Sequence, residues 1–149
     1  MKIRQAFLQL KKFPDLMDLN PGLTKEEIQA FEEKNKLVLP DSYKNLLECF
    51  DGGEIFRPGT KIYGLGVYEG QANIKEINSS VFRSSLSLGP DYLIIASLNF
   101  GDLICINLNK NNDIIQWDHE EDSAFDSWDN LEDWLEFTIK SYLAYEVGD

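Results

Sequence analysis

The sequence predicts an α+β fold: one domain over residues 1–149, with an antiparallel, mostly meandering sheet, helices at the N-terminal side and one C-terminal helix packed on it. Three observations lead there. Apolar residues recur at helical spacing near both ends of the chain. Between them, runs of β-branched and aromatic residues alternate with short polar turns. At 149 residues, 43% hydrophobic and 12% aromatic, the chain is long enough for one core and too short for two ordinary domains.

The first element is a small amphipathic helix with Ile3, Phe7 and Leu10 on one side. Its charges interrupt any signal-peptide core, so the helix is expected to pack on the protein rather than on a membrane. Ser97 breaks the run Leu93-Ile94-Ile95-Ala96, and no apolar stretch approaches the length of a bilayer crossing. A cytoplasmic protein is expected. Phe13-Pro14 and Asn20-Pro21-Gly22 mark a loop.

Leu23 to Ile28 then carries two helix-start devices. Thr24 and Glu27 have capping-box spacing, and Leu23 with Ile28 suits a hydrophobic staple. Ile28, Phe31 and Ala30 are expected inward; Glu26, Glu32, Glu33 and Lys36 are expected to stay solvated.

The stretch Leu37 to Gly53 reads as a short buried helix with its limits written in. Pro40 suits the residue at or just before a first turn, where Asp41 or Ser42 can accept from unpaired amides. Tyr43, Leu46, Leu47 and Phe50 form one apolar face, and Gly52-Gly53 suits a left-handed cap and a sharp turn.

Beyond it, Glu54-Ile55-Phe56, Ile62-Tyr63-Gly64 and Gly66-Val67-Tyr68 suggest short strands with bulges. Asn73 to Leu88 is ambiguous, with Ile74, Ile77 and Phe82 compatible with an irregular helix that the serines weaken. Residues 92–97, 102–107 and 114–118 are three clearer strands, joined closely enough to favour antiparallel pairing. The last helix keeps a helical rhythm through Leu131, Trp134, Leu135, Thr138, Ile139, Tyr142 and Leu143, and Asp129 with Glu132 has capping-box spacing.

Leu39-Pro40-Asp41-Ser42-Tyr43-Lys44 through Asp51-Gly52-Gly53, after an acidic amphipathic helix, resembles the signature of the SUKH superfamily. That group includes the fungal cell-wall synthesis regulators and many small bacterial proteins. Gly101-Asp102 is similar to the pair that opens a strand in the family, and the Trp-containing closing helix is similar to the family's last element. The resemblance implies the α+β fold above. It also implies a non-catalytic role: small bacterial members look like immunity proteins that bind and neutralise a polymorphic or contact-dependent toxin, often a nuclease.

Reactive chemistry has little support in the residues themselves. Cys49 and Cys105 lack metal-ligand or redox spacing and are expected to be ordinary buried thiols. The run Asp118-His119-Glu120-Glu121-Asp122 holds the only histidine, yet neighbouring side chains on an extended segment point to opposite sides. A solvated acidic turn is expected there, and no metal. Asn107, Asn109, Asn111 and Asp113 alternate like a calcium loop but lack its glycine and final glutamate, so a polar hairpin turn is expected. Gly64-Leu65-Gly66 lacks the rest of a dinucleotide fingerprint, and no cofactor is expected. No nucleophile elbow occurs, and carboxylate pairs arise by chance in so acidic a chain.

Charge is more informative. Of the 26 acids, twelve follow Asn112, where Lys140 is the only base. Such a surface repels nucleic-acid phosphates and anionic lipid and attracts basic proteins, so neither direct nucleic-acid binding nor membrane binding is expected. Trp117, Phe125 and Trp128 lie among these acids, as aromatic anchors do at tight interfaces. The expected function is therefore a non-catalytic inhibitor of a cognate protein toxin, the basic active site of a nuclease being the natural complement. The contact region expected is Asp118, Glu120, Glu121, Asp122, Asp126, Trp128 and Asp129. The alternatives are an intracellular scaffold or regulatory interaction module, like the fungal relatives, and a small hydrolase using buried carboxylates.

Overall fold

A computed structural model describes residues 1–109 and 111–147. Asp149 and the side chain of Glu146, two of the twelve C-terminal acids, lie outside that description. The order of elements is α1 (Ile3–Leu10), a 3-10 turn (Pro14–Leu16), β1 (Asp18–Pro21), α2 (Lys25–Asn35), α3 (Asp41–Cys49), β2 (Phe50–Ile55) and β3 (Thr60–Ile62). There follow α4 (Ile74–Asn78), α5 (Val81–Ser85), β4 (Tyr92–Ser97), β5 (Leu103–Asn107), β6 (Ile114–Asp118), β7 (Ser123–Trp128) and α6 (Leu131–Val147). The strands form one sheet in sequential order, each antiparallel to the next. The α+β fold and the meander are as the sequence predicts.

Both faces of the central strands are apolar, which is why residues 103–106 read as an unbroken hydrophobic run. On one face Ile55, Ile62, Ile95, Ile104, Ile106 and Ile114 share a core with α1, α3 and α6, into which Leu10, Tyr43, Leu46 and Trp134 are inserted. On the other, Leu88, Ile94, Leu103, Cys105 and Ile115 form a smaller cluster, packed against Ile77, Leu86 and Tyr92. The ambiguous stretch 73–88 is thus a cover for the outer face, folded as two short helices. Asn73 and Glu76 cap α4 reciprocally, and Ser80 caps α5. Asn78 then exchanges hydrogen bonds with the backbone of Ile94, and the Arg83 guanidinium donates to the carbonyls of Leu88, Gly89 and Tyr92.

Several local expectations are corrected. The helix α3 does not end in a glycine cap. It passes straight into β2 at Phe50, so Gly52 and Gly53 lie inside a strand, at φ +71° and +125°. Their role is close approach: a Cβ on Gly53 would stand 2.2 Å from the Asp18 carbonyl oxygen, and one on Gly52 2.5 Å from Gly64 N and Ile62 O. The neighbour of Gly53 is β1, formed within the stretch where the sequence predicts a loop; its Pro21 is tolerated because the strand lies at the sheet edge. Pro40 occupies the N-cap of α3 with no side-chain cap from Asp41 or Ser42. Gly66-Val67-Tyr68 forms no strand, Tyr68 making only an isolated bridge to Gln71.

In α2 the capping box is made, Thr24 Oγ1 accepting from Glu27 N and Glu27 Oε1 from Thr24 N. Ala30 is exposed, however, and Glu32 turns inward to accept from Leu39 N at 2.7 Å and to lie 3.6 Å from Lys44 Nζ. The cap of α6 is Asn130, one residue beyond Asp129, through its side-chain oxygen and Asp133 N.

The family-like segment is unified by Asp51, whose side chain is fully buried. Its carboxylate accepts from Leu65 N at 2.6 Å, Gly66 N at 3.0 Å and the Tyr68 hydroxyl at 2.8 Å. One strand away, the buried Tyr43 hydroxyl donates to Tyr63 O at 2.6 Å. Burial and the Asp51 charge hold the Tyr43 hydroxyl well above its ordinary pKa. Burial, the hydrogen bond to Asp51 and the charges of Asp51 and Glu27 push Tyr68 up to about 12. Replacing Asp51→Ala leaves two amides and a hydroxyl without their acceptor, and is expected to cost about 3 kcal/mol or more. Urea denaturation measures this; a loss no larger than that of an exposed Asp→Ala control contradicts the account.

Candidate partner-binding surface

Six of the twelve C-terminal acids, Asp118, Glu120, Glu121, Asp122, Asp126 and Asp129, lie on the β6–β7 hairpin and the turn leading into α6. Their geometry begins with a pivot at its tip. Asp118 Oδ1 accepts from the amides of Glu120 and Glu121, at 2.9 and 3.0 Å, folding the chain back on itself. Asp122 closes the turn at φ +52°. Its carboxylate accepts from Ser87 N, from the Ser87 hydroxyl and from the Trp117 indole N–H, so the hairpin is tied to the outer cover. These bonds, Ser87 first and then Trp117, hold the Asp122 carboxyl below its ordinary pKa.

The expected contact residues therefore divide by what they touch. Glu120, Glu121, Asp126 and Asp129 are exposed, and Asp126 bonds only locally, to Ser127 N. Asp118 and Asp122 are half-buried and shape the hairpin. Trp128 is half-buried, packs against the main core and lies 5.2 Å from the Phe137 ring. Trp117 packs on the outer cluster. Of the three aromatic anchors considered, Phe125 is the exposed one, at 67%.

The sequence does not announce the strand β7. Its alternation is masked by polar residues and by a bulge: Asp126 pairs with Gln116 and Ala124 with Trp117, leaving Phe125 between them without an opposite.

Asp102, the residue immediately before β5, enters the site from a neighbouring segment that adjacency in the sequence does not reveal. It is buried, and its carboxylate accepts from Gln116 Nε2 at 2.8 Å and His119 N at 3.2 Å, with His119 Nδ1 at 2.7 Å. The imidazole lies over Gly101, where a Cβ would come within 2.8 Å of Nε2. The Gly-Asp pair thus has a physical meaning: glycine seats the ring and aspartate binds it. Ligand atoms of Asp102, Asp118 and His119 all lie within 4.8 Å of one another, but hydrogen bonds within the hairpin already engage them. No metal is assigned. Cys105 is buried in the outer cluster, where burial pushes its thiol up to about 12.

Among the described residues no helix is long and apolar enough to cross a membrane. Residues 22–136 match the SMI1 / KNR4 family (SUKH-1), which covers the Asp51 segment, the Gly101-Asp102 pair and the acidic hairpin. No curated protein matches the chain.

The His119–Asp102 pair has a defined pH response. The hydrogen bond to Asp102 raises the His119 pKa above its ordinary 6.5, so its contribution to stability is complete below that value and is lost as pH rises through the folded pKa. For Asp102, burial opposes ionisation, but the bonds from Gln116 and His119 together outweigh it and hold the pKa below 3.8. That contribution is present above 3.8 and is lost as pH falls through the folded value. NMR titration of the imidazole is expected to give a midpoint above 6.5, lowered by Asp102→Asn. A midpoint unmoved by that substitution rules out the pairing.

Proposed function

The chain belongs to the SMI1/KNR4 family (SUKH-1), and from that premise we propose that it is a non-catalytic immunity protein acting in the cytoplasm. It binds a cognate toxin with a basic active site, of which a nuclease is the natural example, and neutralises it by occlusion. The observation that carries this reading is the exposure of Glu120, Glu121, Asp126 and Asp129 on the hairpin and the turn after it, together with that of Phe125 in β7. A nuclease site must be positive to hold phosphates, and a negative surface presented on a fixed hairpin attracts it over a distance and fits it without chemistry.

Two features support occlusion over catalysis. The buried carboxylates of Asp51 and Asp102 are each engaged by at least two donors of the fold, which leaves neither poised for acid–base work. The hairpin acids are in turn divided between some that hold its shape and others that face outward, as a rigid binding surface requires.

The test is co-expression with the protein encoded by the neighbouring reading frame. Rescue of growth and co-purification as a tight complex are expected. Reversing Glu120, Glu121, Asp126 and Asp129 to lysine, with Asp118 and Asp122 left in place to keep the hairpin, is expected to weaken binding on the order of 100-fold. Wild-type association should also slow as salt is raised. Rescue by the reversed variant at wild-type strength sinks the proposal. Several weak partners and no toxic neighbour point instead to the scaffold reading.

A further inference from the structure

The seven-stranded sheet has two edges, and they are protected very differently. Edge strands expose unpaired N–H and C=O groups, which proteins blunt by shortness, proline, bulges or charge. At one edge β1 is four residues long, ends in Pro21 and carries a bulge between Leu19 and Pro21. Arg57 flanks it, with a guanidinium nitrogen 3.8 Å from Asp18 Oδ2 and its amide bonded to Leu16 O. At the other edge β7 runs six residues, Ser-Ala-Phe-Asp-Ser-Trp, without proline or any basic side chain, and its first five residues are exposed.

Among the described residues, no backbone group outside β6 bonds to the β7 backbone. Its one further partner is Asp126 Oδ1, which accepts from Ser127 N at 2.8 Å.

What blunts β7 is negative charge. Asp126 lies within it, Glu120 and Glu121 precede it and Asp129 follows it. A second copy pairing here would set acid against acid. A cationic strand would meet complementary charge, together with Phe125 as an apolar contact at the bulge.

We propose that β7 is a strand-addition site, at which an extended, lysine- or arginine-rich segment of the partner pairs with the open edge and becomes the eighth strand of the sheet. This rests on the immunity reading for the identity of the partner, but the edge and its charge selectivity are properties of this chain alone. Main-chain hydrogen bonds supply the pairing, and the flanking acids select its sign.

The probe is a seven-residue peptide alternating lysine with threonine, compared with the same peptide N-methylated at alternate amides so that one edge cannot bond. The unmodified peptide is expected to bind at low salt and to slow amide exchange selectively within residues 123–128. Methylation is expected to weaken it roughly tenfold, the worth of one or two lost hydrogen bonds. Equal binding of the two peptides, or protection at β1 instead of β7, overturns strand addition while leaving the charged surface intact as a binding site. Failure of both peptides to bind overturns strand addition and the attraction of basic partners together. Concentration-dependent dimerisation at low salt, with protection of β7 in the absence of peptide, overturns the selectivity argued here. Growth rescue in the co-expression assay is read independently, so the immunity reading and the edge-pairing proposal can fail separately.

Discussion

A carboxylate taken fully out of water has to be matched donor by donor, and Asp51 is matched by drawing the 63–68 connection against β2. That requirement organises the neighbourhood. Leu65 and Gly66 present their amides only if the backbone passes close to β2, and that approach is possible only where Gly52 and Gly64 carry no Cβ. Tyr43, reaching from α3 to Tyr63 O, fixes the same connection from the helical side. The connection then leads into α4, with Ile74 N bonded to Gly64 O, and so sets where the cover of the outer sheet face begins. Within the signature, Tyr43, Asp51 and Gly52 thus all bear on the connection that answers one buried charge.

This explains which parts of the fold were legible in the sequence. The strands β4, β5 and β6 were readable because their apolar runs reflect burial on both faces, and α6 because its rhythm is unbroken over four turns. The capping box of α2 was readable because Thr24 and Glu27 satisfy each other within one turn. Gly52-Gly53 is ambiguous in the sequence because a helix cap and a close approach between strands both select a residue without a Cβ, and only the fold separates them. The strand β1 was hidden by Pro21, whose tolerance depends on lying at an edge. The inward turn of Glu32 depends on Leu39 N and Lys44, partners that lie beyond the helix carrying it.

At the candidate surface the concentration of charge was legible but its division of labour was not. Composition places twelve acids in the last quarter, and nothing in it distinguishes Asp122, bound to Ser87 from 35 positions away, from Glu121 beside it in solvent. Distance in sequence also concealed Asp102, which meets His119 only because β5 and β6 pair antiparallel. Aromatic content was a poor guide for the same reason. Trp117 and Trp128 lie among the acids in sequence, yet each has a cluster to pack on, and the bulge in β7 is what leaves Phe125 outside.

The two ends of the sheet then carry separable tasks. Five strand spacings, about 24 Å, lie between β2 and β7. The hairpin acids are solvated and about three Debye lengths away at physiological salt, so they place little electrostatic demand on the buried Asp51 network. Substitutions among Glu120, Glu121, Asp126 and Asp129 can therefore change the charge of the hairpin without disturbing the buried bonds of the Asp51 network. Asp118 and Asp122 connect the two tasks, since they spend their carboxylates on the hairpin's own shape and its tie to Ser87. The outward charges can therefore be changed with the hairpin's shape kept only as long as those two carboxylates remain.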